Sequence, residues 1–265
     1  MNKISTLLCA AAAFAAISAP ASAADMRMPV KAPPPVVAVF NWTGFYIGAN
    51  GGYGWGTQRD VNVTETFNGI ITPVGVFPGV GNFGRLEPAG GFLGGQIGYN
   101  WQAPGSNWVW GIETDLQWSN IKDDAIATLP YGVAPNSITI AGAAKVDWFG
   151  TFRGRVGYAW DRVLVYATGG LAYGSTSFAL AMTDTLGFSA AAGGSSTNTG
   201  YAVGGGVEWA FAPNWSMKGE YQYINLGNRH VDAPEFRLGL VTPWAIRSES
   251  RVDFHTARLG VNYRF

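Results

Sequence analysis

The sequence predicts an all-β fold, an eight-stranded antiparallel up-and-down barrel that crosses a membrane on its strands. Three observations predict it. Period-two alternation marks eight segments long enough to cross a bilayer, which takes about 9–11 tilted residues each. The connections alternate between very short and long, an order that compact soluble sheets rarely show. Aromatic side chains fall toward the strand ends, with aliphatic ones between them.

Before the first strand lie two segments of a different kind. Met1-Asn2-Lys3 carries one positive charge, residues 4–17 are apolar and alanine-rich, and Ser18 to Asp25 offers small-residue cleavage sites after Ala23 or Ala24. This is the layout of a secretory signal peptide over residues 1–24. The apolar run is shorter than the about 18 residues a membrane anchor needs. Cys9, the single cysteine, lies in this leader. The exported chain therefore has no disulfide, thiolate metal site or cysteine nucleophile. Residues 25–42 carry Pro29, Pro33, Pro34 and Pro35 and read as an extended periplasmic tether. The barrel domain follows over residues 43–265, one domain of about 220 residues. Lys and Arg total 17, as do Asp and Glu, so charge gives no case for a nucleic-acid partner.

The eight strands are read over residues 43–57, 89–102, 107–119, 145–160, 163–175, 199–211, 214–226 and 251–265. The second, fourth and sixth connections are Ala103-Pro104-Gly105-Ser106, Asp161-Arg162 and Ala212-Pro213. The first, third, fifth and seventh each exceed twenty residues and are rich in Gly, Thr, Ser, Asn and Pro. Short turns then belong to the periplasmic end and four long loops to the exterior. The last strand alternates Leu259, Val261, Tyr263 and Phe265 on an apolar face with Arg258, Gly260, Asn262 and Arg264 on the other. A free edge there would be a liability, so the strand is expected to close the ring on the first.

Strand directions follow from the connections and permit a stricter test. Trp42, Trp101, Trp108, Trp110, Tyr158, Trp160, Trp209, Trp215, Tyr263 and Phe265 then sit at periplasmic ends. Tyr53, Trp55, Trp118, Trp148, Tyr173, Tyr201, Tyr221 and Tyr223 sit toward the outer ends. Ile47, Leu93, Ile97, Ile112, Phe152, Val156, Val203, Val207, Met217 and Leu259 lie between them. Two aromatic girdles around an aliphatic band suit a lipid-facing surface, whereas a soluble core has no reason to sort rings by height. On the fifth strand Val163, Val165, Leu171 and Tyr173 are preferred outside over Leu164, Tyr166 and Ala172.

The opposite faces carry Glu113, Asp115, Arg153, Arg155, Glu208, Lys218, Glu220 and Arg258, four acids and four bases near mid-height. An eight-stranded barrel is just wide enough for side chains to fill it. These charges must pair, since an unpaired buried charge costs several kcal/mol. A structural network is thus favoured over a catalytic or conducting site, with Gln96, Asn100, Gln117 and Gln222 extending it. A wide pore would need about 16 strands. The glycine runs on the first, second and sixth strands precede no helix, so tight curvature explains them better than a phosphate cradle. His230, assigned to the last external loop, and His255 near the outer rim have no metal-ligand spacing around them. The chain also lacks a G-x-S-x-G elbow. No catalytic residue, cofactor or metal is assigned.

Residues 41–56, NWTGFYIGANGGYGWG, resemble the first strand of small outer-membrane surface antigens of alphaproteobacteria, the outer membrane immunogenic or porin-family barrel proteins. Residues 148–158, 166–174 and the closing Val261-Asn262-Tyr263-Arg264-Phe265 are similar to that family too. The resemblance implies a surface-exposed outer-membrane barrel of a Gram-negative bacterium, serving envelope integrity and host or environmental contact. It implies that Leu259, Val261, Tyr263 and Phe265 form the address read by the barrel assembly machinery. Expected partners are that machinery, outer-membrane lipids including lipopolysaccharide, and surface ligands at the external loops. A narrow porin-like channel is the alternative. A lipid-modifying enzyme is the third reading. The His-x-Ser pair of the hydrolase type is absent, because Thr256 and Ala257 follow His255.

Overall fold

The computed structural model describes residues 40–57, 59–67, 70–71, 82–130, 135–237 and 239–265. The signal peptide expected at 1–24 and the expected tether up to residue 39 lie outside the described residues. Eleven strands are present among the rest: β1 (Gly44–Gly56), β2 (Arg59–Phe67), β3 (Ile70–Ile71), β4 (Asn82–Leu86), β5 (Ala89–Gln102), β6 (Trp108–Pro130), β7 (Ser137–Trp160), β8 (Val163–Asp184), β9 (Phe188–Trp209), β10 (Trp215–Arg237) and β11 (Leu240–Arg264).

Eight of them form the ring. β1 pairs with β5, β5 through β11 pair in chain order, and β11 returns to β1, every pairing antiparallel. The closing seam runs from Tyr46 opposite Arg264 to Gly56 opposite Phe254. Closure removes the free edge that the alternating last strand would otherwise present. Glycine permits close packing at this seam: a Cβ on Gly52 would stand 2.2 Å from the carbonyl oxygen of Ala257.

The long connections are the main departure from the sequence reading. The third, fifth and seventh are continuations of the strands rather than loops. β6 and β7 stay paired out to Pro130 and Ser137, and β8 and β9 out to Thr183 and Ser189. β10 and β11 are paired out to Arg237 and Leu240, so His230 sits on a strand. Gly187 (φ 85°) and Gly239 (φ 83°) take the left-handed conformation their tight turns require. The first connection contains β2, β3 and β4, and β2 joins the extended β11 from Asn62–Glu249 to Phe67–Trp244.

Register shifts mark where the strands leave the aromatic outer girdle. They fall between Trp118 and Ile121, Val146 and Trp148, and Asn225 and Asn228. An inserted residue there exchanges the two faces of the strand above it.

The outward face of the ring is apolar. Leu93, Ile112, Phe152, Leu171, Val203 and Leu259 are exposed at mid-strand, flanked by exposed Trp101, Trp108, Trp160 and Trp209 at the turn end and by Tyr53, Trp118, Tyr201 and Tyr221 at the other. On β8, Val163, Val165 and Leu171 are exposed and Tyr173 is half-buried, while Leu164, Tyr166 and Ala172 are buried. Trp42 is the exception among the girdle residues. It is fully buried inside the turn end, so the segment assigned to the tether contributes at least Phe40 to Trp42 to the packed body.

Candidate functional site

Inward-facing positions build the lumen in three layers. Trp42, Val109, Ala159, Leu164, Tyr166 and Ala210 form an apolar layer at the turn end, with Phe40 packed on it. At the other end Phe92, Ile121, Val146, Phe149, Ala172, Ala202, Ile224, Leu226 and Phe254 form a second. Phe149 contacts Phe92 and Phe254 edge-on, with centroids 5.3 and 5.2 Å apart. Between these layers lie Glu113, Asp115, Arg153, Arg155, Glu208, Lys218, Glu220 and Arg258, all at most 5% exposed.

Strand register places opposite charges face to face: Glu113 with Arg153, Glu208 with Lys218, and Glu220 with Arg258. The side chains then link these pairs across the lumen. Arg153 donates from Nη2 to Glu113 Oε1 (2.6 Å) and Asp115 Oδ2 (2.7 Å), and from Nη1 to Glu220 Oε1 (2.9 Å). Lys218 Nζ lies 2.8 Å from both carboxylate oxygens of Glu113. Arg155 Nη2 reaches Glu208 Oε2 at 2.7 Å. Arg258 bonds to Asp115 (3.1 Å) and to Glu220. Every carboxylate is held by at least one cation, as burial in a low-dielectric interior demands.

Several neutral partners complete the layer and were not singled out from sequence. Tyr46 donates to Glu113 Oε2 at 2.7 Å, Tyr166 to Glu220 Oε2 at 2.6 Å, and Ser216 to Glu208 Oε1 at 2.6 Å. The Arg155 guanidinium lies 4.0 Å over the Tyr166 ring. Thr151 bonds Asp115 through both its backbone N–H (3.0 Å) and its hydroxyl (2.8 Å). Period two carried the signal for all of them. Tyr46 shares parity with Gly48 and Asn50, and Tyr166 with Leu164 and Thr168. Gln96 joins the network through Asn50 (3.0 Å) and Asn262 (2.5 Å), and Gln222 through Glu220 (2.6 Å). Gln117 is fully buried and joins as well: with its amide oriented to suit its neighbours, the nitrogen donates to Asp115 Oδ1 and Phe149 O (both 3.1 Å) and the oxygen accepts from Arg258 Nη1 (3.0 Å). Asn100 does not join: it is buried, and neither side-chain polar atom has a partner.

Outside the ring, His255 is half-buried among Trp55, Tyr221 and Tyr223, and its Nδ1 lies 2.7 Å from the Tyr221 hydroxyl. No group of three His, Cys, Asp or Glu suited to a metal ion occurs among the described residues. Leu259, Val261, Tyr263 and Phe265 line the outward face of β11. Tyr263 packs on Trp215 (5.1 Å) and Phe265 lies 5.8 Å from Phe45 across the seam.

Comparison with known proteins identifies the family. The chain is 37% identical to the 31 kDa outer-membrane immunogenic protein of Brucella melitensis, over 98% of this chain and 99% of that one. It is 32% identical to the 22 kDa outer membrane protein of Rhizobium leguminosarum, over 87% and 82%. Among solved structures, OprG of Pseudomonas aeruginosa is similar with a TM-score of 0.44 at 10% identity, covering 85% of this chain and 99% of that chain. A family model described as the outer membrane protein beta-barrel domain matches residues 9–265. The chain belongs to the outer membrane protein beta-barrel domain family and is an outer-membrane β-barrel protein.

Proposed function

We propose that this barrel is a sealed, rigid scaffold with a structural role in the envelope, and that it presents its extended hairpins to partners outside the cell. The carrying observation is the order of layers in the lumen. An ion-paired charge layer is enclosed between two largely apolar layers, so an ion entering from either end would first shed its water against hydrocarbon. Burying an unpaired ion costs several kcal/mol, which opposes both open diffusion and a narrow channel. Refolded protein in planar bilayers should therefore show no stable openings. Sustained, reproducible conductance steps would establish the porin-like alternative instead.

We read the protein as non-catalytic. The relatives above are named as outer-membrane and immunogenic proteins rather than as enzymes. His255, the residue considered for lipid chemistry, stacks on girdle rings, and its Nδ1 meets a tyrosine hydroxyl rather than a carboxylate. The outward girdles fit outer-membrane lipids, lipopolysaccharide included.

The β11 face is read as the address for the assembly machinery, with Phe265 contributing also to the seam. Its backbone N–H donates to Phe45 O at 3.0 Å. Deleting Phe265 should lower the amount of protein reaching the surface, whereas His230→Ala should leave it unchanged. Equal surface labelling of the two variants in cells would refute that reading.

A further inference from the structure

We propose that the outer part of β6 is a docking edge for an extended peptide, which joins the sheet as an added antiparallel strand. The proposal rests on the reading of the hairpins as the elements that meet outside partners. The pairing pattern leads to it. On one side β5 accompanies β6 only as far as Ala89 opposite Lys122. On the other side β7 stays with it to Pro130 opposite Ser137. At the end of the β5 side, Asp123 accepts the Glu87 backbone N–H at 2.6 Å. Beyond it no strand among the described residues pairs with that edge of β6. A free edge is a row of backbone donors and acceptors that another strand satisfies in series. Natural edges are blunted by charge, proline or a bulge. Here Asp124 stands at the base and Pro130 at the tip, while Ala125, Ile126, Ala127, Thr128 and Leu129 supply none of these devices. The stretch accommodates an ordinary strand of about 5–6 residues.

The side chains define what fits. Ile126 is 72% exposed, and Asp124 is exposed on the same face. On the opposite face Ala125 and Ala127 are half-buried, and the register continues them to Leu180 and Met182 in an apolar cluster with Ile138 and Ile140. An added strand thus meets apolar surface on both faces and a carboxylate at its membrane-proximal end. In antiparallel register the residue opposite Asp124 follows the one opposite Ile126 by two. The fitting partner is a β-branched, uncharged segment with Lys or Arg at that position. A second copy in the same membrane fits less well. Its β6 also runs from the turn end outward, so two such edges meet in the parallel sense, which is the less stable pairing.

A dye-labelled peptide, Thr-Val-Ile-Val-Lys-Thr, tests this on the refolded full-length protein in detergent micelles, with fluorescence anisotropy as the readout. Its Ile and Lys are placed to face Ile126 and Asp124, and it should bind saturably. Methylating its backbone nitrogens at every second residue can be done in two phases, and these should differ. One phase removes the bonds to β6 and weakens binding at least about tenfold, while the other leaves it within about twofold. Ile126→Lys should weaken binding about fivefold. Leu240→Lys, on the equally exposed tip of the β10–β11 hairpin, should not. Absence of saturable binding would overturn the proposal. Equal loss in both methylated phases would also overturn it, since that is apolar adhesion without strand addition. So would equal effects of the two lysine variants. Light scattering that shows a wild-type dimer made monomeric by Ile126→Lys would assign the edge to a second copy instead. Should Ile126→Lys fail to insert, the two methylated phases on the wild-type protein still decide. A barrel that is silent in bilayers yet binds no peptide loses the docking edge and keeps the sealed scaffold, whereas a conducting barrel that binds the peptide does the reverse.

Discussion

Arg153→Met should destabilise the barrel by about 3–5 kcal/mol, the range for removing one partner of a buried ion pair. Arg153 is 1% exposed and bonds three carboxylates on two strands. Methionine fills much of its volume but supplies no donor. Glu113 keeps Lys218, and Asp115 and Glu220 keep Arg258, so each acid loses a bond without becoming isolated. Three buried carboxylates nevertheless share one cation fewer in a low-dielectric interior. Lys145→Ala provides the contrast. Its 2.7 Å pair with Asp147 is partly solvated, and the expected cost is about 1 kcal/mol or less.

Urea unfolding of the refolded protein, followed by the mobility difference between folded and unfolded forms on gels, measures both. A double variant, Arg153→Met with Glu220→Gln, makes the test sharper. Removing one negative charge along with the positive one should recover part of the loss, because neighbouring charges couple non-additively. If the two costs simply add, the layer is a set of independent contacts and not one network. If Arg153→Met behaves like Lys145→Ala, the buried charge layer contributes little to stability and the reading of the lumen fails.

The sequence makes the membrane-spanning half of each strand legible because lipid on one side and a packed lumen on the other force strict alternation. Leu93, Phe152 and Leu259 could only face out, and Glu113, Arg153 and Glu220 could only face in. The hairpin extensions were not legible for the same physical reason in reverse. Beyond the outer girdle both faces of a strand can meet water, so Ser195 and Thr197 read as loop although they pair with Ser177 and Ser175. The register shifts near Trp118, Trp148 and Asn225 break the parity just where an extrapolated pattern would have been needed. A tyrosine suits a girdle by residue type, so parity alone marks Tyr46 and Tyr166 as lumen residues.

Trp42 illustrates the same tension between residue type and position, and its removal should have the second large effect. Trp42 shares parity with Tyr46, Gly48 and Asn50, and it is fully buried. Its backbone N–H donates to Gln102 Oε1 (2.8 Å) and its indole N–H to the Asp161 carbonyl oxygen (3.0 Å), which ties the residues just ahead of β1 to the end of β5 and the turn after β7. Phe40 packs edge-on against it at 5.2 Å, and Arg264 faces both rings. Trp42→Ala should cost about 3–5 kcal/mol through the cavity it leaves in the turn-end layer. Trp42→Phe keeps most of the volume and loses the indole donor, for which about 1 kcal/mol is expected. Hydrogen exchange separates this from a generic loss of stability. In Trp42→Ala the amides of Phe265 and Arg264, bonded to Phe45 and Asn214, should exchange faster, while those of β7 and β8 at mid-barrel change only with the global midpoint. Uniform acceleration around the ring would mean that Trp42 only fills space. Acceleration confined to the seam would mean that the residues just ahead of the first strand act as the wedge that keeps the ring shut.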